Sequence, residues 1–465
     1  MLKFECKYVF IYWPVLLVSG GIIFFVLIID RGCYIMEQLG TEKKIFGWGR
    51  YELFLVVIFF IVWGFVYLDR LTLSYLAPIV MEELKFNTVQ YSLMGTATSF
   101  CLAISAFIFG AISDSSGYRK KWLVPFAFGV GVFGGLCAFS HSFVAFIICR
   151  GLVGFCEGPV LALMIAMVAK ESSPQRLALN TALVSLGACI IGGVLGPILT
   201  TQLTAAFSWR FAFMAAAVPT LIVAIIMAKF VHEIHFEPTK DSSGKKESAF
   251  TYFGKIMKYR NVLICLLVGI FGMAGYWTLM LYSSLFFTSV GGMALTKFGY
   301  IFSVMAAVSI LWQVIIPKVT DYSGRKPGLI LWLALASLAP IFMFFMPTSS
   351  ASVVAYILFT GICFSIPIIF WFVVPTETLP ENLIGSSGGM LMGVSEIIGG
   401  AIWPAIGGVI ITNQGLPVIM LWGAICFWIC VILCFGLRET LTKERRLAIK
   451  EEKRAKKADK AAKTA

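Results

Sequence analysis

Gly110-Ala111-Ile112-Ser113-Asp114-Ser115-Ser116-Gly117-Tyr118-Arg119-Lys120 closes one long apolar run, and Pro317-Lys318-Val319-Thr320-Asp321-Tyr322-Ser323-Gly324-Arg325-Lys326 closes another. Asp114 and Asp321 stand 207 residues apart, and so do Gly117 and Gly324. The echo extends beyond the loops. Ile190-Ile191-Gly192-Gly193 returns as Ile397-Ile398-Gly399-Gly400, and Pro197 returns as Pro404, at the same offset. A repeat of that length, carried by apolar segments, predicts two copies of one helical unit in a single chain.

Composition places those units in a membrane. Of 465 residues, 59% are hydrophobic and 13% charged, with a mean hydropathy of +0.90. A soluble domain is about 25% charged. Twelve apolar runs lie at roughly 51–77, 91–113, 122–140, 143–169, 178–204, 210–231, 261–289, 298–317, 328–347, 351–375, 383–411 and 416–437. At about 1.5 Å per residue each is long enough to cross a bilayer core of about 30 Å. The expected fold is an all-α polytopic membrane protein of two six-helix bundles, 51–231 and 261–438, with pseudo-twofold symmetry. A polar linker, 232–260, joins them, and a basic tail, 439–465, follows. Parallel repeats of this kind suit alternating access, with one bundle rocking on the other.

The basic residues set the expected orientation. Lys43, Lys44, Arg50, Arg119, Lys120, Lys121, Lys170, Arg176, Lys318, Arg325 and Lys326 fall in one set of loops, with six more in 232–260. The opposite set carries Lys85, Arg210 and Lys297. The first set is read as cytoplasmic, with the tail, in a plasma (inner) membrane. The tail holds ten basic and five acidic residues and reads as a solvated segment near anionic lipid, not a nucleic-acid binder.

The segment 1–50 breaks the pattern, because residues 8–29 form a further apolar run. It spans as a thirteenth helix, or packs on the bundle as an anchor, or lies upstream of a true start at Met36. The twelve cysteines are scattered through apolar runs, and Cys426, Cys430 and Cys434 fall on one helix face as packing residues do. No zinc spacing or secreted disulfide framework is visible, so no metal and no cofactor is expected.

Charges inside the runs are the functional signal, since an ionisable group at membrane depth costs about 3 kcal/mol or more. Away from helix ends there are five: Asp69, Arg70, Arg150, Glu157 and Glu396. Four belong to the first copy. Arg150 and Glu157 are seven apart, hence on one helix face and about 10 Å apart along the axis. Asp69 and Arg150 lie at similar depths, roughly 7 and 9 Å outward of their helix centres by the same rise. The expectation is that Asp69 or Glu157 pairs with Arg150, leaving Arg70 to meet an anion.

The repeat supplies the complement. Shifting Asp69 and Arg70 by 207 gives Tyr276 and Trp277, so the second copy has aromatics where the first has charges. With Tyr282 these are candidate ligand-wall residues, and Tyr67 joins Arg70 on the first copy's side. Glu396 is a candidate second proton site, or a satisfied structural acid.

The doubled Gly-x-x-x-Asp-x-x-Gly-x-Arg-Lys pattern, over a chain organised in this way from 51 to 437, resembles the major facilitator superfamily. The resemblance implies that Gly110, Asp114, Gly117, Arg119 and Lys120, and in the second copy Asp321, Gly324 and Arg325, form a conformational gate. Ser115 stands where many members have a basic residue, and Pro317 replaces the second copy's first Gly. Within that family, Tyr67-Leu68-Asp69-Arg70-Leu71-Thr72-Leu73-Ser74 and Arg150-Gly151-Leu152-Val153-Gly154-Phe155-Cys156-Glu157-Gly158-Pro159 resemble the anion:cation symporter branch, as does Trp209-Arg210-Phe211-Ala212-Phe213. That likeness implies that Arg70 holds a substrate carboxylate, that Asp69 and Glu157 carry coupling protons, and that Arg150 regulates them. One departure is Ser99-Phe100-Cys101-Leu102, where the branch often has a Tyr.

The expected function is proton-coupled uptake of a small organic anion, such as a sugar acid, by a monomer in the lipid bilayer. Coupling by Na⁺ stays open. The competing reading is a proton-coupled antiporter exporting drugs or metabolites. Gly192, Gly193 and Gly196-Pro197 partly resemble the antiporter motif, but Thr200 and Thr201 stand where its glycines belong. An enzyme is not expected: no Ser/His/Asp grouping, HExxH or P-loop is present, and His141, His232 and His235 lie at helix ends or in the linker.

Overall fold

In the computed structural model, residues 49–173, 176–234, 249–380, 383 and 387–441 are described. The apolar run 8–29, the start at Met36 and the tail beyond 441 lie outside them, as does the linker segment 235–248. The side chain of Asp114 lies outside them too. Among the described residues the regular structure is helical throughout, and eleven helices are long and apolar enough to cross a membrane. These are α1 (Arg50–Leu84), α2 (Thr88–Ser116), α4 (Phe143–Glu171), α5 (Leu179–Ala206), α6 (Trp209–Phe230), α7 (Arg260–Val290), α8 (Leu295–Ser323), α9 (Arg325–Phe345), α10 (Ser350–Thr378), α11 (Ser387–Gln414) and α12 (Leu416–Phe435). The remaining expected span is α3 (Lys120–Cys137), 18 residues opened by Lys120 and Lys121, whose charges dilute its hydropathy. A helix is the form in which an apolar segment satisfies its own backbone without water.

Helix ends follow their local chemistry. Asn87 and Gln90 cap the start of α2 reciprocally, each side chain accepting the other's backbone N–H at 2.8 and 3.0 Å. Ser142 and Ser208 cap α4 and α6. α1 runs seven residues past the end of its apolar run, through Pro78, and stops where Lys85 turns left-handed at φ 53°.

Contacts divide the described residues into two compact units. One lies within Met1–Lys240 plus Ala294–Ser303, the other within Asp241–Met293 plus Val304–Ala465. Each repeats the same internal devices. α5 widens to a π-helix over Ala188–Leu195, and α11 does so over Glu396–Ile402, around the Gly192-Gly193 and Gly399-Gly400 pairs. Tyr75 donates its hydroxyl to the Gly192 carbonyl at 3.0 Å, and Tyr282, 207 residues later, donates to the Pro404 carbonyl at 3.0 Å. Each tyrosine ties the first helix of its unit to the widened one.

The two loop motifs are built alike. Gly117 ends α2 at φ 72°, and Gly324 precedes α9 at φ 107°, conformations that glycine adopts without Cβ strain. The next helix is then capped by a distant acid. Glu233 accepts the backbone N–H groups of Arg119, Lys120 and Lys121, each at 2.8 Å. Glu439 accepts those of Arg325 and Lys326 at 2.8 and 3.2 Å. A carboxylate at a helix N-terminus meets unpaired donors and the positive end of the dipole. Gly110, the first glycine of the motif, faces open space. A Cβ there would meet nothing within 4 Å, so it is not a site of close helix approach in this structure.

Candidate functional site

The first unit gathers four charges from two helices. α1 supplies Asp69 and Arg70. α4 supplies Arg150 and Glu157, two turns apart on one face. Arg150 Nη1 lies 3.8 Å from Asp69 Oδ2, and Arg70 Nη1 lies 3.2 Å from Glu157 Oε1. The Arg150 fork does more than pair: it donates to the Asp69 backbone carbonyl at 3.2 Å and to the Arg70 carbonyl at 2.8 Å. A carbonyl already bonded within its helix has a second lone pair for this.

This arrangement corrects one expectation. Arg70 was to remain open to an anion, with an acid on Arg150. The acid on Arg150 is Asp69, but Arg70 is itself bridged to Glu157. Rise per residue gives depth along an axis; it gives neither azimuth nor side-chain reach. With its fork laid across the α1 carbonyls, Arg150 leaves the deeper acid to Arg70.

The two pairs are not equivalent. The Arg150 and Asp69 side chains are 3% and 0% exposed, whereas in the other pair Arg70 is 11% exposed and Glu157 1%. Arg70 is therefore the member that an incoming group meets first. Neither carboxylate oxygen of Asp69 accepts a hydrogen bond from a described residue. An ionised carboxylate has about four acceptor sites to satisfy. A buried one with no donors, set beside a guanidinium that is also engaged elsewhere, is a group on which a proton can reside.

α3 packs on this charge cluster through Gly134. A Cβ on Gly134 would collide with the Asp69 carboxylate. Gly134→Ala is therefore expected to lower thermal stability by about 1–3 kcal/mol, the usual range for overpacking. Gly110→Ala, with open space around its Cβ, should lie within about 0.5 kcal/mol of the parent or above it. Thermal unfolding of both variants in detergent checks the contrast. Equal stability would show that α3 gives way without resistance.

Tyr67 lies beside Trp63, ring centroids 6.1 Å apart, and a Cβ on Gly192 would meet its ring at 2.9 Å. The glycine of the widened α5 thus makes room for it. Trp209-Arg210 ties α6 to the end of α1: Trp209 Nε1 donates to Glu83 at 2.7 Å, and Arg210 pairs with the same carboxylate. Arg210 also lies 4.2 Å over the Trp209 ring.

In the second unit, Trp277 Nε1 donates to Glu396 Oε2 at 3.4 Å. Tyr276 packs edge-on against Trp277 and Phe364, at 5.4 Å in both cases. These three candidates, Tyr276, Trp277 and Glu396, form one buried cluster. Tyr282 stands apart from them in role. It is fully buried and its hydroxyl is engaged by Pro404, so in this structure it anchors α11 and does not present itself as a ligand wall.

Of the gate candidates, Arg325 bonds Asp321 at 2.6 Å and Glu377 at 3.0 and 3.2 Å. Thr440 also donates to Glu377, at 2.6 Å. Arg119 bonds Ser113. Sequence reasoning missed Glu233, Glu439 and Glu377, and also Glu52, which takes Arg176 at 2.8 Å and Asn180 at 2.7 Å. A signal existed for two of them: Glu233 and Glu439 recur at nearly the repeat offset. No group of three or more His, Cys, Asp or Glu that could hold a metal occurs among the described residues.

The sequence profile of the Major Facilitator Superfamily matches residues 55–402. A hexuronate transporter of Bacillus subtilis is 25% identical over 383 residues, covering 77% of this chain and 88% of that one. A probable 4-methylmuconolactone transporter of Cupriavidus pinatubonensis is 24% identical over 385 residues, covering 81% and 87%. Among solved structures, a bacterial homolog to the human lysosomal transporter Spinster superposes with a TM-score of 0.71 at 14% identity, covering 83% of this chain and 96% of that one. At that identity the likeness shows the fold.

Proposed function

We propose that this chain, which belongs to the major facilitator superfamily and is thus a transporter and not an enzyme, takes up a small organic anion together with protons. The observation that carries the reading is the Arg70–Glu157 ion pair, with Arg70 its exposed member. A carboxylate entering the site competes for the Arg70 guanidinium, whose planar fork matches it. Glu157 then has a buried charge and a weakened partner. Stranding a buried charge is strongly unfavourable, about 3–5 kcal/mol, and a proton relieves it. Binding of an anion and uptake of a proton are therefore one event. The relatives named hexuronate and 4-methylmuconolactone transporters support a carboxylated or lactone substrate.

Asp69 is the second proton carrier, governed by Arg150, and Glu396 with Trp277 is assigned to the substrate or proton path of the second unit. Tyr67 is assigned to the wall around the anion in the first unit, and Tyr276 and Trp277 to the substrate path of the second unit. The two motif loops, Gly110 to Lys120 and Asp321 to Arg325, are assigned to the gate between access states. We assign the protein to the plasma membrane as a monomer with its tail on the cytoplasmic side and H⁺ as the coupling ion, and uptake driven by Na⁺ at uniform pH is the competing outcome of the test below.

Uptake of radiolabelled galacturonate or glucuronate into proteoliposomes tests this. Lowering the external pH should raise accumulation, and a protonophore should collapse it. An imposed gradient of one pH unit is worth about 1.4 kcal/mol per proton, so electroneutral symport with one proton accumulates a monoanion about tenfold. Accumulation driven by an outward proton gradient, or by Na⁺ at uniform pH, would overturn the symport reading. A thermal-shift screen of sugar acids, aromatic acids and dicarboxylates identifies the substrate when these two are inert.

A further inference from the structure

A short helix, Ala249–Ile256, precedes the first span of the second unit. At helical spacing Tyr252, Phe253 and Ile256 fall on one side, with Ile256 fully buried, while Lys255 stands exposed beside them. The chain then turns, the Lys258 and Tyr259 N–H groups donating to the Lys255 and Ile256 carbonyls at 3.3 and 3.2 Å, and α7 begins at Arg260. The Tyr252 hydroxyl donates to the Leu383 carbonyl at 2.5 Å and fixes that residue against the short helix. These ties frame a cavity of about 300 Å³ lined by Lys255, Lys258, Tyr259 and Leu383.

We propose that this cavity holds the phosphodiester headgroup of an anionic phospholipid, drawn from the leaflet read as cytoplasmic. Charge is the first argument. Two exposed lysines line the cavity, and no acid is among its described lining residues. Arg260 and Arg438, both exposed, add charge at the same end of α7. Asn261, in the first turn of α7, brings the second of them there: its side chain donates to the Arg438 carbonyl at 3.0 Å and accepts the Arg438 N–H at 2.9 Å. Basic residues gathered next to a membrane span attract anionic lipid. Size is the second argument. Small-molecule sites run from about 300 to 1,000 Å³, so this one takes a headgroup and leaves the acyl chains outside.

Depth is the third. Lys258 and Tyr259 directly precede the apolar span, the level of the headgroups, where tyrosine is favoured. α7 is otherwise largely buried, so the residues that it turns outward are informative. Tyr259, Leu263 and Leu267 recur at every fourth position, and Leu263 is 43% exposed. Residues four apart share a helix face. An apolar strip therefore leads from the cavity along α7 into the hydrocarbon, the path of an acyl chain whose headgroup sits at the lysines. A free phosphate would use the lysines alone; a lipid uses both.

The test uses the full chain in dodecyl maltoside, titrated with dioleoyl phosphatidylglycerol or dioleoyl phosphatidylcholine, with bound lipids counted by native mass spectrometry. The expected result is a saturable phosphatidylglycerol site that phosphatidylcholine does not fill. A basic residue near an anionic headgroup contributes about fivefold in affinity, so K255Q/K258Q should weaken that site about 25-fold. K170Q/K229Q removes the same charge from two exposed positions of the first unit and should leave it unchanged. Because all four lysines are exposed, both variants should unfold at the parent's midpoint in lipid-free detergent. Inorganic phosphate in large molar excess should not displace the lipid. Equal weakening in the two double variants would reduce the effect to diffuse surface charge and overturn the site, and so would phosphatidylcholine bound as tightly as phosphatidylglycerol. Displacement by inorganic phosphate would overturn the lipid as its occupant.

Discussion

Arg70→Ala is expected to abolish saturable binding and uptake of the anion. A charge-assisted hydrogen bond contributes about 1.5–3 kcal/mol. Losing a two-pronged contact of that strength weakens affinity by at least about 10- to 100-fold. The same substitution also strands Glu157, whose carboxylate lies 3.2 Å from Arg70 and is 1% exposed. Two causes could therefore produce one loss. The double variant Arg70→Ala/Glu157→Gln separates them. The Gln removes the stranded charge, so thermal stability should return towards that of the parent. Binding should not return, because the guanidinium is what the anion needs. Thermal-shift titration and uptake on the three proteins decide the matter. Recovery of binding in the double variant would show that Arg70 serves only to neutralise Glu157. Arg70→Lys should fold normally and bind poorly, since an ammonium keeps the charge and loses the planar fork.

Asp69→Asn is expected to uncouple transport. In an electroneutral cycle the proton taken up at Glu157 leaves through Asp69, one for each monoanion, and the wild-type protein accumulates substrate about tenfold for each unit of pH gradient. In the variant the inside-to-outside ratio should fall to about one under the same gradient. Exchange of labelled for unlabelled substrate should persist, because the amide stands in for the protonated acid and lets the loaded carrier turn over. The local structure favours this outcome. No described donor bonds either Asp69 oxygen, and the nearest Arg150 nitrogen is 3.8 Å from Oδ2 while bonding main-chain carbonyls at 2.8 and 3.2 Å. Asn at that position removes a charge without taking away a set of hydrogen bonds. Glu157→Gln should behave likewise for concentrative uptake and should weaken the Arg70 bridge as well. The two variants differ in one respect: Glu157→Gln frees Arg70 and so should bind the anion more tightly at neutral pH. Concentrative uptake undiminished in both variants would remove the coupling role from these acids.

Much of the scaffold was legible beforehand. The 207-residue offset located the two loop motifs, both glycine pairs and both helix prolines, and the apolar runs located the helices. The symmetry was also deeper than the motifs. Tyr75 and Tyr282 obey the same offset, and their matching bonds to Gly192 and Pro404 were hidden only because an apolar helix full of aromatics gives no reason to single out one hydroxyl. The capping acids were hidden for a different reason. Glu233 lies more than a hundred residues from the helix start that it caps, and local sequence carries no trace of such a contact.

The sequence by itself determined the membrane class, the twelve-run repeat and the identity of the four charges in one half of it. It could do so because hydropathy, helical rise and repeat offset are one-dimensional quantities that are read along the chain. Only the tertiary structure decided which charge meets which. Pairing depends on azimuth, on helix separation set by residues such as Gly134, and on competition for the Arg150 fork by backbone carbonyls that no residue pattern displays. The same three-dimensional terms gave Tyr282 to an anchor and left Gly110 facing open space.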